Sequence, residues 1–166
     1  MMRDIVVIAH NLRSTHNVGS LLRTAEGLGI SHVYLTGYTP YPRYDKDPRL
    51  PHEAAKLHRQ IQKTALGAEA SQPWSHDADV MIVLEVLKGN GYTLAALEQT
   101  TQSTKLPTYS PPDKIAIVLG REVEGMENDV LERCDIALEI PMSGQKESFN
   151  VVQAAAMALY HCKYFV

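Results

Sequence analysis

Two short apolar runs constrain this chain more than any other feature. DIVVIA at Asp4–Ala9 and KIAIVL at Lys114–Leu119 are too short for a core helix, and the first has no polar residue after its opening aspartate. A continuous run of this length suits a strand buried on both faces, which is the habit of parallel sheets. Between and after these runs, helical and extended patterns alternate. Asn17–Leu28 places Val18, Leu21, Leu22, Ala25 and Leu28 at helical spacing, and Gly29 follows as a C-terminal cap. Ser31–Thr36 reads as a strand, Gly37–Pro51 as a loop with four prolines and three tyrosines, and Glu53–Lys63 as an amphipathic helix. Asp77–Lys88 reads as a helix, Tyr92–Leu97 as a strand, and Thr100–Pro112 as a polar loop. A short helix at Asp129–Arg133, a strand at Ile136–Ile140 and a helix from about Ser148 to Tyr164 complete the pattern. The expected class is α/β, a mostly parallel sheet with helices on both faces.

The 166 residues, 45% of them hydrophobic, suffice for one domain with a full core. No internal repeat or linker divides them, so residues 1–166 are expected to form a single domain with no appended domain. No apolar run reaches the roughly 18 residues of a membrane span, and the N-terminal run is too short for a secretory signal. The only cysteines, Cys134 and Cys162, form no CxxC pair. A reducing, cytoplasmic location is expected.

The net charge of −3 gives no global nucleic-acid signature. Residues 1–63, however, hold nine Lys/Arg against five Asp/Glu (+4), and residues 64–166 hold seven against fourteen (−7). This asymmetry points to an anionic partner on the N-terminal half.

Several common chemistries find no support. Neither GLG at Gly27–Gly29 nor GNG at Gly89–Gly91 completes GxGxxG, and both follow helices. There is no GxxxxGK[ST] loop, no GxSxG elbow and no zinc-ligand spacing; His52 and His58 lie about 240° apart on a helix. No metal is expected.

Three segments carry signal. In HNLRSTHNVGSLLRTAEGLGI, Asn17 stands where a helix cap belongs and Gly19 keeps the backbone accessible. Arg23 lies about 140° from Val18, off the apolar stripe. In IAIVLGREVEGM a buried strand ends at Gly120 and enters an acidic, glycine-framed loop, the place where parallel sheets bind ligands. In IPMSGQKESFNVVQAAAMALY a strand end breaks into a polar loop before a helix with almost no charge. Ser148 is the expected cap of that helix, and Asn150 falls in its first turn. The helix itself presents no polar face, so it should be buried all round, with a second copy of the chain as the expected cover.

In combination, order and spacing, these segments resemble the SpoU (TrmH) branch of the SPOUT RNA methyltransferases. The first motif corresponds to Asn17, Gly19, Arg23, Thr24 and Ala25, and the second to Gly120, Glu122 and Gly125. The third corresponds to Ile140, Pro141, Met142, Gly144, Ser148, Phe149, Asn150 and Val151. Thr15 replaces a proline common in that family, and Phe149 replaces its usual leucine.

The resemblance implies an S-adenosylmethionine-dependent enzyme that methylates a ribose 2′-hydroxyl of tRNA or rRNA. It implies a C-terminal trefoil knot and a homodimer paired through the C-terminal helix. It assigns Arg23, Asn17, Glu122, Ser148 and Asn150 to the catalytic set, with Asn17 and Glu122 holding Arg23. Leu97, Glu98, Gly120, Ile140, Pro141, Met142 and Phe149 would line the donor site. Arg43, Lys46 and Arg49, in a tyrosine-rich segment, would contact RNA. The alternative is a knotted homologue that binds RNA without methylating it; the presence of both Arg23 and Glu122 favours the enzyme.

Overall fold

A computed structural model describes residues 2–166. Seven strands form one sheet in the order β3-β2-β1-β6-β4-β7-β5, every pair parallel. In chain order the elements are β1 (Asp4–His10), α1 (Thr15–Gly27), β2 (His32–Thr36), α2 (Pro51–Ala65), α3 (Ala68–Ser71), β3 (Trp74–Asp77) and α4 (Val80–Gly89). They continue with β4 (Thr93–Leu97), β5 (Thr104–Lys105), β6 (Lys114–Leu119), α5 (Asn128–Arg133), β7 (Ile136–Glu139) and α6 (Val151–Tyr164).

The two apolar runs become β1 and β6, adjacent at the centre of the sheet, with Ile5 opposite Ile115 and Ala9 opposite Leu119. Successive side chains leave a strand on opposite faces, and both faces are covered. Ile5, Val7, Ala9, Ile115, Ile117 and Leu119 join α1, α2, α3 and α6 in one core layer. Val6, Ile8, Ala116 and Val118 join Val83, Leu84 and Leu87 of α4 and Val130 of α5 in the other. Polar residues on either face of these strands would have no route to water.

Gly29 ends α1 as expected. Its φ is +62°, and the chain turns so that the Ile30 N–H reaches the Ala25 carbonyl at 2.9 Å. Three elements differ from the sequence reading. Trp74–Asp77, of which only Asp77 falls in an expected element, is a strand: WSHD pairs with β2 through its backbone and lacks the apolar pattern that marks a buried strand. The helix read from Asp77 begins at Val80, capped by the Asp79 carboxylate through the Met81 N–H. The loop read over Thr100–Pro112 contains β5, an edge strand of two residues, and a 3₁₀ turn at Leu106–Thr108. The four-residue α3 was also absent from that reading.

The connection order brings the functional ends together. After β4 the chain lays down β5 at the edge, returns to place β6 between β1 and β4, and then inserts β7 between β4 and β5. Strands β6, β4 and β7 are therefore neighbours, and their carboxyl ends stand side by side across roughly 10 Å of sheet.

Candidate active site

Beyond those three strand ends lies a pocket of about 390 Å³. Leu97 and Glu98 enter it from the end of β4, Gly120 to Gly125 from the end of β6, and Ile140 and Met142 from the end of β7. Ser148, Phe149, Val151 and Ala154 close it from the start of α6. Six of the seven expected donor-site residues thus share one cavity. Pro141 is exposed and lies outside the lining.

The loop after β6 is held tightly. A Cβ on Gly120 would sit 2.7 Å from the Met126 backbone, and one on Gly125 would sit 2.8 Å from the Glu98 carboxylate. Gly125 also has φ +74°, a conformation that disfavours side chains. Glu98 accepts a hydrogen bond from the Met126 N–H at 2.9 Å and so pins the loop to the end of β4.

Five carboxylates border the pocket (Glu98, Glu122, Glu124, Glu139 and Glu147) against one cation, Arg121. Most have partners. Arg13 pairs with Glu124 at 2.6 Å, and the Ser103 hydroxyl donates to Glu139 at 2.6 Å. The cavity is therefore acidic at its polar edge and apolar at Leu97, Leu119, Leu138, Ile140 and Phe149.

A run of hydrogen bonds ties the three motifs to one another. Glu122 Oε1 accepts from the backbone N–H groups of Arg13 (3.0 Å) and Ser14 (3.2 Å) and from Asn17 Nδ2 (3.4 Å). Asn17 Oδ1 in turn accepts from Asn150 Nδ2 at 3.3 Å. The carboxylate faces the first turn of α1, where exposed N–H groups and the helix dipole favour negative charge.

Two caps differ from the sequence reading. Ser14, not Asn17, caps α1: its hydroxyl accepts the Asn17 N–H at 3.1 Å. This leaves the Asn17 side chain free to reach Glu122 and Asn150. Likewise Asn150, not Ser148, caps α6, accepting from the Val152 and Gln153 N–H groups. Ser148 lines the pocket instead.

Gly19 also has a different role. It is buried, and a Cβ there would collide with the Ile61 carbonyl and the Thr64 hydroxyl. It permits close contact between α1 and α2 and presents no backbone to a ligand.

Two arginines depart from their expected places. Arg23 is exposed and lines a separate groove with Ser20, Lys63, Ala156 and Tyr160. It lies six residues beyond Asn17, about 9 Å along α1 and about 240° around it. Asn17 and Glu122 consequently hold each other and not Arg23. Arg49 is turned into its own loop. It donates to both Asp47 carboxylate oxygens (2.9 and 2.6 Å) and to the carbonyls of Tyr41 and Pro42 (2.9 Å each), and stacks 3.6 Å from the Tyr41 ring centroid. The Arg49 hydrogen bonds hold the Asp47 carboxyl down at about 2. With its donors committed this way, Arg49 is a loop brace and not a phosphate contact. Arg43 and Lys46 remain exposed.

The structure adds residues that the sequence reading passed over. Arg13 and Ser14 supply the N–H groups that hold Glu122. Buried Asn11, at φ +56°, donates to Glu127 (2.8 Å) and accepts the Tyr38 N–H (3.0 Å). His10 is bonded to Thr36 at 2.9 Å, and burial lowers its pKa against the pull of Glu127. An asparagine just after an apolar strand, a residue type that readily takes a left-handed turn, is the sequence signal that could have revealed this cluster.

A Staphylococcus saprophyticus protein assigned to the TrmH family of tRNA/rRNA methyltransferases is 31% identical over 155 residues, covering 93% of this chain and 56% of that one. The chain thus spans about half the length of the curated relatives it matches. Among solved structures, an AdoMet-bound rRNA methyltransferase from Sinorhizobium meliloti superposes with TM-score 0.80 at 19% identity, over 98% of this chain and 56% of that one. An RNA 2′-O ribose methyltransferase superposes with TM-score 0.77 at 24% identity, over 98% and 56%. The sequence model of the SpoU rRNA Methylase family matches residues 4–160, which include all three motifs, and the chain belongs to that family.

Proposed function

We propose that this chain is an S-adenosylmethionine-dependent methyltransferase acting on a ribose 2′-hydroxyl of tRNA or rRNA. The observation that carries the reading is one acidic pocket at the carboxyl ends of β6, β4 and β7, lined by the second and third motifs and tied to Asn17 of the first through Glu122 and Asn150. Family membership supports RNA methylation, and the fold likeness to a ribose 2′-O enzyme supports the finer specificity.

The pocket fits the donor chemically. Apolar walls at Leu97, Leu138, Ile140 and Phe149 suit an adenine ring, and backbone groups along Gly120–Gly125 suit its hydrogen-bonding edge. The carboxylates suit the positive charge of the sulfonium and ammonium groups. When bound, this donor supplies an electrophilic methyl group. Glu98 and Glu122 keep the pocket's loop in place, and Asn17 and Asn150 fix the start of α6 against it.

Arg23 is assigned to gripping the substrate phosphate and orienting the attacking hydroxyl. It is directed away from its own chain's pocket, so this role requires a second copy. The outer face of α6 supports one: Tyr160 is 60% and Tyr164 55% exposed, beside Ala156 and Met157. Only one side of α6 is buried within the chain, through Val152, Ala155, Ala158, Leu159 and Cys162. Pairing through this face would cover the apolar surface and carry Arg23, which shares a groove with Tyr160 and Ala156, toward the partner. The insertion of β7 between strands already laid down is in keeping with a threaded C-terminal segment.

The test is transfer of radiolabelled methyl from S-adenosylmethionine to bulk tRNA and to rRNA, followed by mapping of the labelled nucleotide. Label on a ribose oxygen is the expected result. Donor binding without transfer to either RNA would favour the non-catalytic RNA-binding homologue, and label on a base would overturn the ribose assignment.

A further inference from the structure

A second concavity, of about 690 Å³, opens at the carboxyl ends of β1 and β2. It shares a turn with the donor pocket: Arg13 and Ser14 line it, and their N–H groups are held by Glu122, which lines the pocket. A polymer with one nucleotide at the pocket has this groove beside it, across the Arg13–Ser14 turn.

The groove contains one tyrosine ring free to stack. Tyr41 is occupied, with the Arg49 guanidinium 3.6 Å from its centroid and the His76 ring stacked at 3.9 Å; two groups this close must take opposite faces. Tyr38 is 53% exposed, and among the described residues no ring stacks on it.

Its backbone is nonetheless fixed. The Tyr38 N–H donates to buried Asn11 at 3.0 Å, and the preceding Gly37, at φ +65°, leaves room only for the Asn11 amide. An exposed ring on a fixed backbone loses little further freedom on binding. The Tyr38 hydroxyl and Glu124 both lie beside the Arg13 guanidinium and raise its pKa. His16 is exposed on the same rim.

We infer that this groove holds the nucleotide flanking the methylated one, with its base stacked on Tyr38 and its phosphate met by Arg13 and His16. The inference rests on the RNA methyltransferase reading above. A flat base is favoured over a peptide because a free ring face, a cation and a further hydrogen-bond donor lie together, which is how single-stranded nucleic acid is held. Glu124 occupies Arg13 in the free protein, and the phosphate takes its place, returning a partly exposed carboxylate to water.

The test measures fluorescence anisotropy with labelled single-stranded oligoadenylate and with bulk tRNA, alongside calorimetry with S-adenosylmethionine as a check on the folded pocket. Tyr38→Ala weakens RNA binding by about tenfold or more, Tyr38→Trp retains it, and donor affinity is unchanged in both. Equal RNA binding by the wild type and Tyr38→Ala would overturn the groove assignment and leave the RNA reading standing. Donor binding with no RNA binding by the wild type would overturn the RNA reading and the groove with it.

Discussion

Asn150 Nδ2 donates to Asn17 Oδ1 at 3.3 Å, joining residues 133 positions apart in the chain. Each asparagine also holds something else: Asn17 donates to Glu122, and Asn150 caps α6. One contact therefore couples the start of α1, the loop after β6 and the start of α6.

The two asparagines should behave as a unit. Asn150→Ala removes the cap and the link, and should cost about 0.5–2 kcal/mol of stability. Asn150→Ser keeps a capping oxygen and loses only the reach to Asn17. A double-mutant cycle of Asn17→Ala and Asn150→Ala, read by urea denaturation, should give a coupling energy of at least about 0.5 kcal/mol. Strict additivity would show that the contact does not persist in solution.

Arg23 offers a test of subunit sharing. Arg23→Ala and Asn17→Ala should each lose most methyl transfer, Asn17→Ala by misplacing the pocket wall, a small displacement costing about a hundredfold. Mixing the two variants under exchange conditions should restore activity, because a mixed dimer can pair an intact Arg23 with an intact pocket. If the mixture stays as inactive as its components, Arg23 does not act across subunits. Arg23→Lys should also be impaired, since an ammonium cannot grip phosphate and hydroxyl in the guanidinium's planar geometry.

Gly19→Ala tests the contact between α1 and α2. An added methyl must displace the Ile61 backbone, because the Thr64 side chain alone cannot clear the space. A destabilisation of about 1–3 kcal/mol is expected by thermal or chemical denaturation, even though alanine favours helix. An unchanged or raised melting temperature would mean that the two helices can separate freely.

The Asp47–Arg49 brace should make a pH-dependent contribution. The Asp47 carboxyl has a folded pKa of about 2, below its ordinary value of 3.8. The folded state therefore binds fewer protons, and the stabilisation is full above the unfolded pKa. It declines as pH falls through the folded value. The stability difference between wild type and Asp47→Asn should be constant near neutral pH and shrink below about pH 4. A difference that persists unchanged into strong acid would sink the assignment.

Much of the fold was legible because burial on two faces leaves a simple trace. DIVVIA and KIAIVL could fold as central strands with little ambiguity, and they pair in register at the middle of the sheet. WSHD and the Thr104–Lys105 edge were not legible, because their pairing uses backbone groups and their side chains carry no apolar pattern. The caps were misassigned by two or three residues for a related reason. Ser14, Asn17, Ser148 and Asn150 are all competent capping side chains, and only the path of the backbone selects which oxygen meets the N–H groups.

By itself, the sequence determined the α/β class, the central strands and the three polar segments that follow strand ends. These depend on local hydropathy and backbone freedom, which residue types encode directly. Tertiary structure alone decided which side chains meet. It brought Asn17 to Glu122 and Asn150, turned Arg49 inward onto Asp47, and left Arg23 on the far side of its helix. Such encounters depend on strand order and helix rotation, and those are set by the packing of the whole chain.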